Sequence, residues 1–121
     1  GSTFGGNYLS TAAGLAVLDV LSELCNNGML DETLLYFSEK LKEIVEKYEN
    51  LFEKEVGLGL MRGLRAKSAD IQGTVLKNSL KEGLIILKAG RNTVRFLPSI
   101  TISKNEIDEG FKRFEKAIGS L

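Results

Sequence analysis

The sequence contains no histidine and no tryptophan, and it has a single cysteine and a single proline in 121 residues. Without histidine, a Ser-His-Asp triad, a Cys-His pair and a His-bearing metal site are all excluded within this chain. The lone cysteine, Cys25, permits no internal disulfide and fits a reducing compartment, so a cytoplasmic location is expected. Neither sign of charge is in excess: Lys+Arg and Asp+Glu are both 16. A balanced chain is a poor match for nucleic acid or an anionic membrane, which ask for a basic surplus. No uninterrupted apolar run approaches the roughly 20 residues of a membrane span. The N-terminus lacks a basic segment followed by an apolar one, so no signal peptide is expected. Internal repeats and low-complexity segments are also missing.

What is present is an ordinary globular balance, 43% hydrophobic and 26% charged, in a chain long enough for one modest core. The opening stretch, Gly1-Ser2-Thr3-Phe4-Gly5-Gly6-Asn7, sets three glycines, two hydroxyls and an amide ahead of a long helical pattern. Such a stretch is either a flexible terminus (Gly-Ser is a common cloning scar) or a loop whose hydroxyls and the Gly5 and Gly6 amides hold an anion such as phosphate. A first helix is expected from Tyr8–Ser10 to about Leu24. Leu15, Val17, Leu18, Val20 and Leu21 cover more than one of its faces, which predicts a mostly buried helix. Asn26-Asn27-Gly28 ends it.

A second helix follows Met29-Leu30, capped by Asp31, with Leu34, Phe37, Leu41, Ile44, Val45 and Tyr48 at helical spacing. Period-two alternation predicts one strand over 56–65, with Val56, Leu58, Leu60 and Leu64 on one face and the intervening glycines pressed by another backbone or helix. Asp70 is the expected cap of a third helix ending at Gly83. Leu84–Leu87 reads as a short buried strand and Thr93–Leu97 as its hairpin partner. Ser103 and Glu106 form a capping box that opens the last helix, with the stripe Ile107, Phe111, Phe114 and Ile118. The pattern is α+β: a small, partly antiparallel sheet with helices, preceded by a long connecting helix. The division expected is 1–28 for loop and helix and 29–121 for the α+β domain.

Few residues here could carry chemistry. Arg95 sits between apolar Val94 and Phe96, so alternation puts it on the face opposite them. It is either a solvated strand arginine or a two-point fork for a carboxylate. Arg62 and Arg65 read as surface charges or interdomain ion pairs. Cys25 reads as a small packing residue, no base being in sight. No lysine has surroundings that mark it as a Schiff-base residue.

The glycine stretch Gly1–Asn7, then Gly57-Leu58-Gly59-Leu60-Met61, then Gly83–Leu87 with Asn92–Pro98, then Ile102–Phe114, resemble in order and separation the C-terminal part of the class III pyridoxal-phosphate aminotransferases. The resemblance runs end to end and points to the acetylornithine branch, with the ornithine and succinylornithine branches close behind. Tyr8 and Ser99 stand where the family commonly has proline. The resemblance implies the C-terminal small domain of a fold-type I enzyme. It implies that Ser2 and Thr3, Thr3 above all, contact the phosphate of pyridoxal 5'-phosphate held in the neighbouring subunit, and that Arg95 binds the substrate α-carboxylate. It implies a homodimer with the active site at the subunit interface. The reaction implied is ping-pong amino transfer from N-acetylornithine, or a related ω-amino donor, to 2-oxoglutarate in arginine biosynthesis. In that family the cofactor-binding lysine lies upstream of the glycine stretch, so this chain by itself is expected to be inactive. The other reading of the same elements is a non-catalytic ligand-binding or dimerisation module of ferredoxin-like character.

Overall fold

The computed structural model describes all of residues 1–121, which divide into two compact units, Gly1–Glu32 and Thr33–Leu121. In the first unit the opening turn leads into helix α1, Tyr8–Asn26. Asn7 caps it: its side-chain oxygen accepts from the Ser10 amide at 2.9 Å, satisfying one of the donors that a helix start leaves over. Helical periodicity therefore gave the start correctly. The expectation of burial is not met within this chain: no residue of α1 is buried, and Leu15, Val17, Leu18 and Val20 are exposed. By length and composition alone α1 is also apolar enough to cross a membrane. No uninterrupted run reaches that length, since Asp19 breaks it, but the surrounding leucines and alanines keep the helix apolar as a whole.

Helix α2, Met29–Lys47, starts before Asp31, which lies inside its first turn. The Met29 amide is instead taken by the Asn27 side chain at 3.0 Å. The buried stripe of α2, Phe37, Leu41 and Ile44, lies in the second unit.

The second unit is built on a four-stranded, wholly antiparallel sheet in the order β1-β2-β4-β3. Its strands are β1 (Phe52–Leu58), β2 (Met61–Ala66), β3 (Leu87–Ala89) and β4 (Thr93–Phe96). The single strand expected over 56–65 is in fact a hairpin. Leu58 pairs with Met61, and Gly59, at φ +59, turns the chain between them. The reversal explains the fate of the proposed stripe: Leu64 is fully buried and Leu60 packs on the core, but Leu58 is 87% exposed. The expected pressure falls on Gly57 and Gly63, supplied by the backbone of a neighbouring strand, and not on Gly59, around which there is open space. A Cβ on Gly57, at φ +105, would lie 2.2 Å from the Met61 carbonyl oxygen.

Helix α3, Ala69–Lys81, is capped by Ser68 rather than Asp70, with the Ser68 hydroxyl accepting from the Ile71 amide. Gly83, at φ +74, ends it with paired bonds, Gly83 N–H to Leu80 and Leu84 N–H to Ser79. The buried strand expected over 84–87 is reduced to Leu87–Ala89. Leu84 and Ile86 pack on the core while Ile85 between them is exposed, so the segment is extended but pairs only at its end. Helix α4, Lys104–Ile118, opens with the predicted Ser103–Glu106 capping box and buries the predicted stripe. The core joins α2 and α4 to one face of the sheet through Phe37, Phe96, Phe111 and Phe114, whose rings lie 5.2–6.3 Å apart in the pairs they form, and α3 adds Val75 to it.

Candidate functional site

The sheet has two unlike faces, and the register assigns the paired strand residues to one or the other, Glu53 at the β1 irregularity having no partner. Leu64, Ala66, Val94 and Phe96 point into the core. The row Val56–Gly63–Arg95–Leu87 runs across all four strands on the other face, and no member of it belongs to the core cluster. Alternation thus predicted the side of Arg95 correctly.

Arg95 is half-buried, and its Nε is enclosed without a hydrogen-bond partner. No carboxylate within this chain pairs with it. Arg62 Nε is enclosed without a partner too, although Arg62 is paired with Glu55, so what distinguishes Arg95 is the missing carboxylate, which leaves its fork open to a planar, two-oxygen anion. Gly63 stands directly opposite it. A Cβ on Gly63 would lie 2.5 Å from Thr93 Cγ2 and 2.8 Å from the Val94 carbonyl oxygen, so glycine is what lets β2 and β4 close at this point.

Arg65 is on the same face, one diagonal step away, since Arg65 pairs with Thr93 as Gly63 pairs with Arg95. Its Nε is likewise enclosed and unpartnered. Sequence reasoning did not bring Arg65 to Arg95, because the hairpin that sets the register was not seen. Arg62, read as a surface or interdomain charge, is neither: it bonds Glu55 at 2.6 Å and Ser38 at 3.0 Å, tying α2 to the first hairpin.

In the first unit, Ser2 and Thr3 are exposed, and neither hydroxyl is engaged within the chain. Gly5 N–H is not free for an anion as expected, since it closes a turn onto the Ser2 carbonyl at 3.3 Å. Asn7 is also committed, donating to the Phe4 carbonyl at 2.7 Å while it caps α1. Of the donors expected for a phosphate, the Ser2 and Thr3 hydroxyls and the Gly6 amide are left unengaged within the chain. Cys25, expected to pack, is exposed.

A cavity of about 220 Å³ opens between α4 and the extended segments 84–86 and 97–102. Its walls are apolar, and its one ionisable group, Glu106, already accepts from the Ser103 amide and hydroxyl at 2.9 and 2.7 Å. It offers nothing to grip a charged substrate, and no cluster of His, Cys, Asp or Glu could hold a metal ion.

The model of the class-III aminotransferases matches residues 1–118. The chain belongs to that family. Among similar aminotransferases, the acetylornithine aminotransferase of Wolinella succinogenes is 52% identical over 121 residues, covering 100% of this chain and 31% of the relative. The acetylornithine aminotransferase of Vibrio vulnificus is 43% identical, covering 100% of this chain and 30% of the relative. The crystal structure of N-acetylornithine aminotransferase from Stenotrophomonas maltophilia superimposes with a TM-score of 0.81 at 32% identity, over 96% of this chain and 32% of that one. The chain thus spans about a third of the length of the relatives it matches. Its α+β fold is that of the matching region in aminotransferases, and the ferredoxin-like alternative is not favoured.

Proposed function

We propose that the complete protein is a pyridoxal-phosphate-dependent aminotransferase. It moves an amino group from N-acetylornithine, or a related ω-amino donor, to 2-oxoglutarate in arginine biosynthesis in the cytoplasm. Similarity to acetylornithine aminotransferases supports the substrate, and one observation carries the site: Arg95 lies on the sheet face opposite the core with no carboxylate of this chain paired to it.

In this reading Arg95 takes the α-carboxylate that amino-acid donor and 2-oxoacid acceptor share, and its planar fork fixes the orientation of both. When bound, pyridoxal 5'-phosphate supplies the electron sink for amino transfer. The residues present fit its phosphate: Ser2 and Thr3 each offer a hydroxyl that nothing in this chain uses, beside the Gly6 amide. The loop serves the site of the neighbouring subunit in a homodimer. Residues 1–28 act as phosphate loop and connecting helix, and 29–121 as the small domain. The apolar surface of α1 is covered by the remainder of the assembled protein.

The experiment is a pair of substitutions in the complete protein. Thr3→Ala is expected to release cofactor on dialysis while leaving carboxylate affinity in the reloaded enzyme unchanged. Arg95→Ala is expected to retain cofactor and lose affinity for donor and acceptor alike. Normal affinity for both substrates in Arg95→Ala refutes the assignment.

A further inference from the structure

Gln72 on α3 is only 2% exposed, one helical turn before the core residue Val75. A methionine or leucine would fill that space without burying an amide. The amide nitrogen donates to two backbone carbonyls, Ala89 at 2.9 Å and Thr93 at 2.7 Å. These two residues stand opposite each other in the β3–β4 ladder. One side chain therefore holds a carbonyl from each strand across the mouth of the hairpin. The turn it closes is unfavourable by itself: Arg91 and Asn92, neither of them glycine, stand at φ +55 and +57. The Ala66 amide donates to the Asn92 carbonyl at 3.0 Å, so β2 holds the turn as well. The ladder is short, with three residues in β3 and four in β4. Side chains alternate with period two, so a one-residue slip of β4 turns Arg95 to the core face.

We propose that Gln72 is a positioning residue for Arg95: from α3 it fixes the β3–β4 hairpin, and with it the place and direction of the guanidinium that takes the substrate carboxylate. The path is short. Thr93 and Arg95 lie two apart on β4, and Ala89 and Leu87, two apart on β3, stand opposite them. Gln72 thus grips the pair that neighbours the Leu87–Arg95 pair on the same face of the sheet. A buried amide with its donors satisfied specifies one arrangement of the strands it joins. The grip of a guanidinium on a carboxylate is directional, so a small displacement of β4 weakens it. Gln72 is buried and acts only through the backbone. Its role depends on Arg95 being the carboxylate site proposed above.

The test uses the complete, cofactor-loaded protein and Gln72→Met, which keeps the length of the side chain and removes its donor. Gln72→Leu replaces it where Gln72→Met does not fold. Single-turnover half-reactions give the affinity for N-acetylornithine, for 2-oxoglutarate and for an amine donor without an α-carboxylate. Calorimetric titration gives the Kd of 2-oxoglutarate independently. Gln72→Met is expected to weaken N-acetylornithine and 2-oxoglutarate about tenfold, as a small misplacement of a binding group does. The amine donor is expected to be unaffected. Val75→Ala thins the packing of the same helix and leaves both carbonyl bonds in place, so it controls for lost stability and is expected to spare all three. In an Arg95→Ala background, Gln72→Met is expected to cost nothing further. Equal losses for the three substrates, no loss, the same selective loss in Val75→Ala, or a full additional loss on top of Arg95→Ala each overturn the role of Gln72. Normal affinity for both carboxylates in Arg95→Ala refutes the carboxylate assignment and this role with it. A loss in Arg95→Ala without one in Gln72→Met refutes the role of Gln72 alone.

Discussion

Gly63 faces Arg95 across the β2–β4 ladder, and the space between their strands has no room for a methyl group. The nearest obstacles to a Cβ are Thr93 Cγ2 at 2.5 Å and the Val94 carbonyl oxygen at 2.8 Å. The side chain could rotate, but the carbonyl belongs to the ladder that holds Arg95. Gly63→Ala is therefore expected to push β4 away from β2. Overpacking of this kind costs about 1–3 kcal/mol. The expected result is a lower urea midpoint together with weaker binding of carboxylate substrates in the complete enzyme, although residue 63 touches no substrate.

The Glu55–Arg62 pair is largely enclosed, its side chains 23% and 13% exposed. Removing the acid by Glu55→Ala leaves Arg62 with only the Ser38 hydroxyl. A charged group deprived of its main partner in such a place costs about 1–3 kcal/mol. Equilibrium unfolding measures it. Ser38→Ala, which removes the neutral partner, is expected to cost less.

Ser79 gives the opposite sign. Its hydroxyl is completely buried on α3 and has no hydrogen-bond partner. Ser79→Ala removes an unsatisfied group and improves helix propensity, so a gain of about 1 kcal/mol is expected. A rise in Tm is the readout.

Acid should loosen α4 first. The Ser103 amide donating to Glu106, helped by the Ser103 hydroxyl, holds the Glu106 carboxyl below its ordinary value of 4.5. Arg113, by hydrogen bond and by charge, does the same for Glu109. Groups with lowered folded-state values stabilise the fold above their unfolded value and lose that contribution as pH falls through the folded one. Stability is thus expected to drop below about pH 4.5. In Glu106→Gln part of that drop should vanish. Amide hydrogen exchange over 104–107 follows the fraying directly.

Much of this fold was legible because its signals are local. Gly83 after a periodic run and the Ser103–Glu106 spacing each fix a helix end through bonds made within a few residues. Alternation around Arg95 placed it on the correct face. The first hairpin was missed because alternation runs on unchanged through Leu58-Gly59-Leu60, so period two alone does not show that the chain reverses there. Missing the hairpin hid the register, and with it the nearness of Arg65 to Arg95 and the pairing of Arg62 with Glu55. The shrinking of the strand at 84–87 is a tertiary effect: Leu84 and Ile86 are drawn to the core, and the segment leaves the ladder except at its end.

The most direct test of the central claim is the affinity of Arg95→Ala in the complete enzyme for three substrates. These are an amino-acid donor, 2-oxoglutarate, and an amine donor that lacks the α-carboxylate. Loss of a charged partner in an enclosed site is worth about 2–4 kcal/mol. That corresponds to roughly 30- to 1,000-fold in kcat/KM. A loss in this range is expected for the first two substrates and little change for the third, with cofactor content preserved. Equal losses for all three, or none for any, would contradict it.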